Sequence, residues 1–316
     1  MKPTNKAEPD ACLNCGAPLH GEKKFCSECG QANTRTNVPL SSLLAELIEG
    51  FFSVDSKFIR TLRVIFTRPG QIVSDFNAGK RVVYVPPLRL YFSVSVVFFL
   101  LLSVNQQSEV QKMKDSQELK KIQKKSSKSE VFNIDILVKH FSFTKQEIDQ
   151  IPRFDDRQID SLIVAKRQTP DAFSRMIIRQ TPKMMTVEGV NRLVDTLMNY
   201  ISLSMFLLMP VFGGLLALFY IGQRLFYVQH LVHSIYLHCV FFMLFSLAQA
   251  VDWAVTVPVG NFAFLAGLVY SWFSLRRVYG QGWLATTLKL IGLAVAHLAV
   301  LIAFMTGLAL LSMWRL

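Results

Sequence analysis

Beyond residue 80 the chain alternates apolar runs, too long for ordinary core helices, with short polar breaks. Crossing a hydrocarbon core of about 30 Å takes roughly 20 helical residues. The segments 82–104, 198–221, 233–256, 259–275 and 284–312 are close to that length. In the first, Pro86, Pro87 and Arg89 interrupt the front and leave Leu90–Val104 clean, so it spans only if Arg89 reaches back to the headgroups. A single helix from 233 to 275 would overshoot any bilayer, and Pro258 and Gly260 predict the turn that divides it. The expected class is an all-α membrane protein with about five transmembrane helices.

Ahead of these segments, Leu44, Leu47, Ile48, Phe51, Phe58, Leu62 and Ile65 recur at mostly helical spacing, with Lys57, Arg60 and Arg63 on the other side. That pattern predicts an amphipathic interfacial helix over 43–66, suited to the inner leaflet and ended by Pro69-Gly70. The same stripe would equally serve packing on protein. Between the first and second spans, 105–197 opens with a low-complexity Lys, Gln and Ser stretch over 111–130. Thr169-Pro170-Asp171 and Thr181-Pro182 then read as helix starts, with Thr as cap and Pro in the first turn, and predict a small helical subdomain. The plan is a ribbon and linker (1–39), the interfacial-helix region (40–81), a first span (82–104), an extracytoplasmic loop (105–197) and a four-helix membrane domain (198–316).

Composition agrees, with 51% hydrophobic residues and 25 phenylalanines. The net charge of +12 is spread evenly: residues 1–89 carry 12 basic and 8 acidic groups, 105–197 carry 17 and 13, and the rest carry 5 and 1. Each block is +4, so no nucleic-acid partner is expected and the basicity reads as attraction to membrane lipid. Cationic loops stay in the cytosol, which places Arg224 and the group Arg276, Arg277 and Lys289 inside. With a cytosolic head the first segment must then cross, giving an N-terminus inside and a C-terminus outside.

The polar head changes the chemistry. Cys12, Cys15, Cys26 and Cys29 form two Cys-x-x-Cys-Gly turns, a pattern that delivers four thiolates to one tetrahedral Zn2+. The first 40 residues do not read as a secretory signal, so the thiols stay in a reducing compartment. Four protein ligands close the site and make it structural. Cys239 lies in an apolar run and reads as a small buried hydrophobe.

Other candidates lie near the spans. His230 and His233 share one helix face at the expected cytosolic mouth of the third segment, while His238 falls about 80° to the other side, at 100° per residue. With Asp252 and His297 they make a candidate transport path, although interfacial anchoring and helix-helix bonding are the plainer roles. Lys80, Arg81 and Arg89, beside Tyr84 and Tyr91, are candidates for holding a lipid phosphate. A Gly-rich phosphate loop, a nucleophile-base pair and an HExxH motif are all missing, so the chain does not read as an enzyme.

The order of motifs after the cysteines is informative: Arg60-Thr61-Leu62 to Arg68-Pro69-Gly70, Gly79-Lys80-Arg81, Pro87-Leu88-Arg89-Leu90-Tyr91, then Tyr227 to His233 and Arg277-Val278-Tyr279-Gly280-Gln281. The chain resembles the bacterial zinc-ribbon-headed integral membrane family known as domain of unknown function 3667. The resemblance implies a multi-pass protein of the bacterial inner membrane and says nothing of mechanism. The expected role is a cytosolic protein-interaction or assembly module, with Leu13, Phe25 and Glu28 facing a protein partner or a second copy. A small-solute or ion permease, or a handler of anionic lipid, is the alternative.

Overall fold

The computed structural model describes residues 11–19, 25–32, 56–115, 131–136, 139–184, 187–255 and 259–315. Among them the protein forms ten helices and one hairpin: α1 (Ser56–Thr67), α2 (Gln71–Asn77), α3 (Pro87–Asp115), β1 (Val131–Ile136), β2 (Lys139–Thr144), α4 (Lys145–Gln150), a 3-10 turn (Ile151–Arg153), α5 (Asp156–Ala165), α6 (Ala172–Met184), α7 (Val187–Phe219), α8 (Tyr227–Val255), α9 (Gly260–Tyr279) and α10 (Trp283–Arg315). Two compact units result, residues 1–105 with 205–299 and residues 106–204 with 300–316.

The chain is a helical membrane protein. Among the described residues three stretches are long and apolar enough to cross a membrane: Pro87–Val104 of α3, Tyr227–Trp253 of α8 and Trp283–Leu311 of α10. Leu203–Phe219 of α7 is a shorter apolar stretch. The segment expected to span at 259–275 is helical but is not one of the three. Ser271 and Ser274 dilute its second half, and Arg276 and Arg277 follow directly in the last turn of α9.

In the first unit α8 is the central helix, packed against α9 and α2. Ile65 of α1, Ile72, Val73 and Phe76 of α2, Tyr91 and Phe98 of α3, and Val232, Ile235, Tyr236 and Phe242 of α8 share one buried core. Phe98 stacks on Phe242 with ring centroids 4.7 Å apart. Lipid tails are as apolar as leucine, so close packing and hydrogen bonds, more than burial, join helices within a bilayer. Small residues supply that closeness: a Cβ on Gly267 would lie 2.4 Å from the Phe241 ring, and one on Gly292 2.6 Å from Phe219. Gly213 packs on the backbone of Leu231, whereas nothing lies within 4 Å of a Cβ placed on Gly214.

The predicted amphipathic helix proves to be packed on protein over its described part, because Thr61 and Ile65 are buried in the core. Leu44, Leu47, Ile48 and Phe51 lie outside the described residues, as do 116–130 of the Lys-rich stretch.

The second unit holds the helices of the expected small helical subdomain and adds a hairpin to them. β1 and β2 pair antiparallel, with Phe132 opposite Phe143 and Ile134 opposite Phe141. β2 alternates, so Phe141 and Phe143 point inward onto Ile148, Ile151, Ile159, Ile163, Ile177 and Ile178. Two reciprocal capping boxes, Thr144 with Glu147 and Asp155 with Gln158, start α4 and α5. α6 is capped by Asp171, which accepts the Ser174 N–H at 2.7 Å. Thr181-Pro182 starts no helix; both residues lie inside α6, where the Thr181 hydroxyl donates to the Ile177 carbonyl.

Acid should loosen this unit. The Lys139 ammonium at 2.6 Å and the Ser174 N–H hold the Asp171 carboxyl far below the usual range. Arg175 holds Asp160 down through a two-point bond. Burial raises Glu147, but the Lys166 ammonium and the Thr144 N–H outweigh it and the net shift is downward. Depressed folded-state values contribute stability that is present above the unfolded values of about 4 and lost as pH falls through the folded ones. Hydrogen-exchange protection across 139–184 should therefore hold from neutral pH to about 5 and fall on further acidification. Protection that is constant down to pH 2 would contradict this.

Candidate functional site

The head is built from two like hairpins. In the first, the Gly16 N–H bonds the Cys12 carbonyl at 2.8 Å and the Cys12 N–H bonds Ala17; in the second, Gly30 bonds Cys26 at 2.9 Å and Cys26 bonds Gln31. Gly16 and Gly30 adopt left-handed φ of 77° and 72°, which a residue without Cβ adopts freely. The turns bring all four sulfurs within 4.8 Å of one another. Cys12 Sγ lies 3.6 Å from Cys29 Sγ, and Cys15 Sγ 3.7 Å from Cys26 Sγ. A disulfide needs about 2.05 Å. A tetrahedral ion with metal–sulfur bonds of about 2.3 Å sets its sulfurs about 3.8 Å apart, so the donor set fits one metal ion. All four cysteines are free thiols here.

The head is also fastened to its own chain, which the sequence reading missed. Gln31 is buried, and its side-chain amide uses both ends: Nε2 donates to the Gly79 carbonyl at 2.8 Å, and Oε1 accepts the Arg81 N–H at 3.0 Å. Leu13 covers Gly79. A Cβ there would lie 2.7 Å from Leu13 Cδ1, and the φ of 91° disfavours one anyway. Of the three side chains expected to face a partner, Leu13 thus rests partly on Gly79, while Phe25, 61% exposed, and Glu28 point outward.

The basic candidates do not gather around a vacant anion site. Asp75 takes that place: its carboxylate accepts Lys80 Nζ at 3.3 Å, Gln71 Nε2 at 3.1 Å and the Tyr84 hydroxyl at 2.8 Å. The Arg81 guanidinium lies over the Phe76 ring. Arg89 is half-buried in the first turn of α3. Tyr91 is buried against Phe92 and Phe242, away from any headgroup role. The sequence held a signal for this, because Asp75 is the only acid between residues 56 and 89, amid seven cations.

The transport-path candidates fall in three places. His230 and His233 converge on Tyr279: its hydroxyl lies 2.8 Å from His230 Nδ1 and 3.4 Å from His233 Nδ1, and His233 Nε2 meets Ser274 Oγ at 2.9 Å. All four residues are buried, and Tyr220 stacks on Tyr279 at 3.6 Å. This is a bonded clamp between α8 and α9. His238 bonds the Ser234 carbonyl and faces His297, whose ring packs on Phe212 and whose Nδ1 is buried without a hydrogen-bond partner. Asp252 accepts the Val259 N–H at 2.9 Å and ties the α8–α9 turn. The histidine spacing hinted at the first cluster; nothing local announced Tyr279 and Ser274 as its partners.

No curated protein and no solved structure matches the chain. One family model does, over residues 55–99, which take in α1, α2, the Asp75 bonds, the Gly79–Arg81 segment and the front of α3. That stretch, behind a four-cysteine head, carries the signature of the family described as Protein of unknown function (DUF3667).

Proposed function

We propose that the chain is a multi-pass protein of the bacterial inner membrane whose head is a cytosolic zinc ribbon acting as an interaction module. Zinc is the natural occupant of a closed set of four thiolates, and its part is to hold geometry. Both hairpins are seated on the segment entering the first span, the first through Leu13 and the second through Gln31, and the second also presents Phe25 and Glu28 to a protein partner. The exposure of Phe25, beside a metal site and next to a buried docking edge, is the observation that supports this reading. A permease is the weaker reading, because His230 and His233 are tied up in one clamp on Tyr279 while Asp252 and His297 sit in two other local contacts.

In-membrane crosslinking with mass spectrometry tests it, comparing the native chain, a Cys12→Ser, Cys29→Ser variant and Phe25→Ala. The adaptor reading expects specific partners to be lost in both variants. Partners retained in Phe25→Ala, with metal still bound, would refute it.

A further inference from the structure

The outward face of α1 belongs to no contact described so far, and it does not depend on the ribbon. We infer that this face, Ile59, Arg60, Arg63 and Phe66, is a docking surface for anionic lipid headgroups.

The helix cannot roll. Thr61 Oγ1 donates to the Lys57 carbonyl and accepts the Val85 N–H at 3.0 Å, and the Val85 carbonyl in turn accepts the Tyr236 hydroxyl. Thr61 and Ile65 are therefore fixed inward. At 100° per residue, Ile59, Arg63 and Phe66 lie within an arc of about 60° on the opposite side, with Arg60 about 60° beyond Arg63. Ile59 is 62% and Phe66 46% exposed, and both arginines are exposed. This is not the stripe expected to meet the leaflet; Phe58 and Ile65 of that stripe pack on the core.

Two observations select the occupant. Val85 stands two residues before Pro87, where the first apolar stretch begins, so its bond to Thr61 sets α1 at headgroup depth beside that stretch. Along α1 there are three cations, Lys57, Arg60 and Arg63, and no acid. A second copy would set like charge against like, whereas an anionic leaflet accepts both the arginines and the apolar pair beside them. Each arginine near such a surface contributes about 1 kcal/mol, or roughly fivefold in lipid preference.

The test places a photoreactive benzoylphenylalanine at Phe66 of the full-length protein in discs of mixed phosphatidylglycerol and phosphatidylcholine. The same residue at Leu298, exposed on α10, reports that lipid adducts are detected. The expected result is a lipid adduct at position 66 enriched in phosphatidylglycerol, with the enrichment falling roughly fivefold for Arg60→Gln and again for Arg63→Gln. Adducts without headgroup preference, or no lipid adduct while Leu298 gives one, would overturn the inference. A protein adduct at position 66 in native membranes would also overturn it and make this face a protein interface.

Discussion

Replacing Cys12 and Cys29 by serine is expected to free a backbone amide some 50 residues away. Structural metal supplies about 10–16 kcal/mol of folding free energy to small zinc modules, and a head this short has too little core to stand without it. Once the hairpins open, Gln31 leaves Gly79 and Arg81, so the Arg81 N–H loses the acceptor it has at 3.0 Å. A net hydrogen bond of about 1 kcal/mol predicts an increase of roughly fivefold in exchange at that amide. Gln31→Ala separates docking from metal binding. It should speed Arg81 exchange equally while one metal ion per chain remains bound. If Arg81 exchanges at the native rate in both variants, the head is not seated on that segment.

Gly70→Ala should be a strongly damaging single methyl, because both its backbone and its neighbours resist it. The φ of 76° costs an L-residue about 1–2 kcal/mol. The new Cβ would also lie 2.8 Å from the Ser274 carbonyl oxygen and 3.0 Å from its Cα, which are backbone atoms that cannot swing aside. Overpacking of that kind adds about 1–3 kcal/mol. Ser274 also bonds His233, so the displacement reaches the Tyr279 clamp. A loss of about 3 kcal/mol corresponds to a Tm lower by roughly 6–12 °C in a domain of this size. Gly214→Ala, which meets nothing within 4 Å, is the control and should leave Tm near native. Equal Tm values for the two variants would show that the Gly70–Ser274 approach is not maintained.

Local signals carried much of the sequence reading. The Cys-x-x-Cys-Gly repeats specify their own turns within five residues, and an apolar run of helical length announces itself, so the four-cysteine cluster and the long apolar helices α3, α8 and α10 were legible. What escaped depends on distant pairs. Gln31 reaches residues 48 and 50 positions away, and Tyr279 meets histidines 46 and 49 positions back. Asp252 looked like a charge at membrane depth and ties a turn seven residues on. The hairpin of β1 and β2 left a weak local signal, because the alternation over Lys139–Thr144 is short and no Asn-Gly or Asp-Gly pair precedes it. For α1, periodicity found the stripe but could not say whether lipid or protein would cover it.

The two hairpins of the head are a repeat: each residue of the first matches the one 14 positions later, Cys12 with Cys26, Gly16 with Gly30, and the bridge Ala11–Pro18 with Phe25–Ala32. Toward the metal the halves are interchangeable. Toward the rest of the protein they are not, because Gln31 occupies the place of Ala17, Leu13 that of Ser27 and Phe25 that of Ala11. The four cysteines therefore carry no information about which way the head faces. That polarity is written in three side chains laid over a duplicated scaffold, and the head could be turned around without touching a single cysteine.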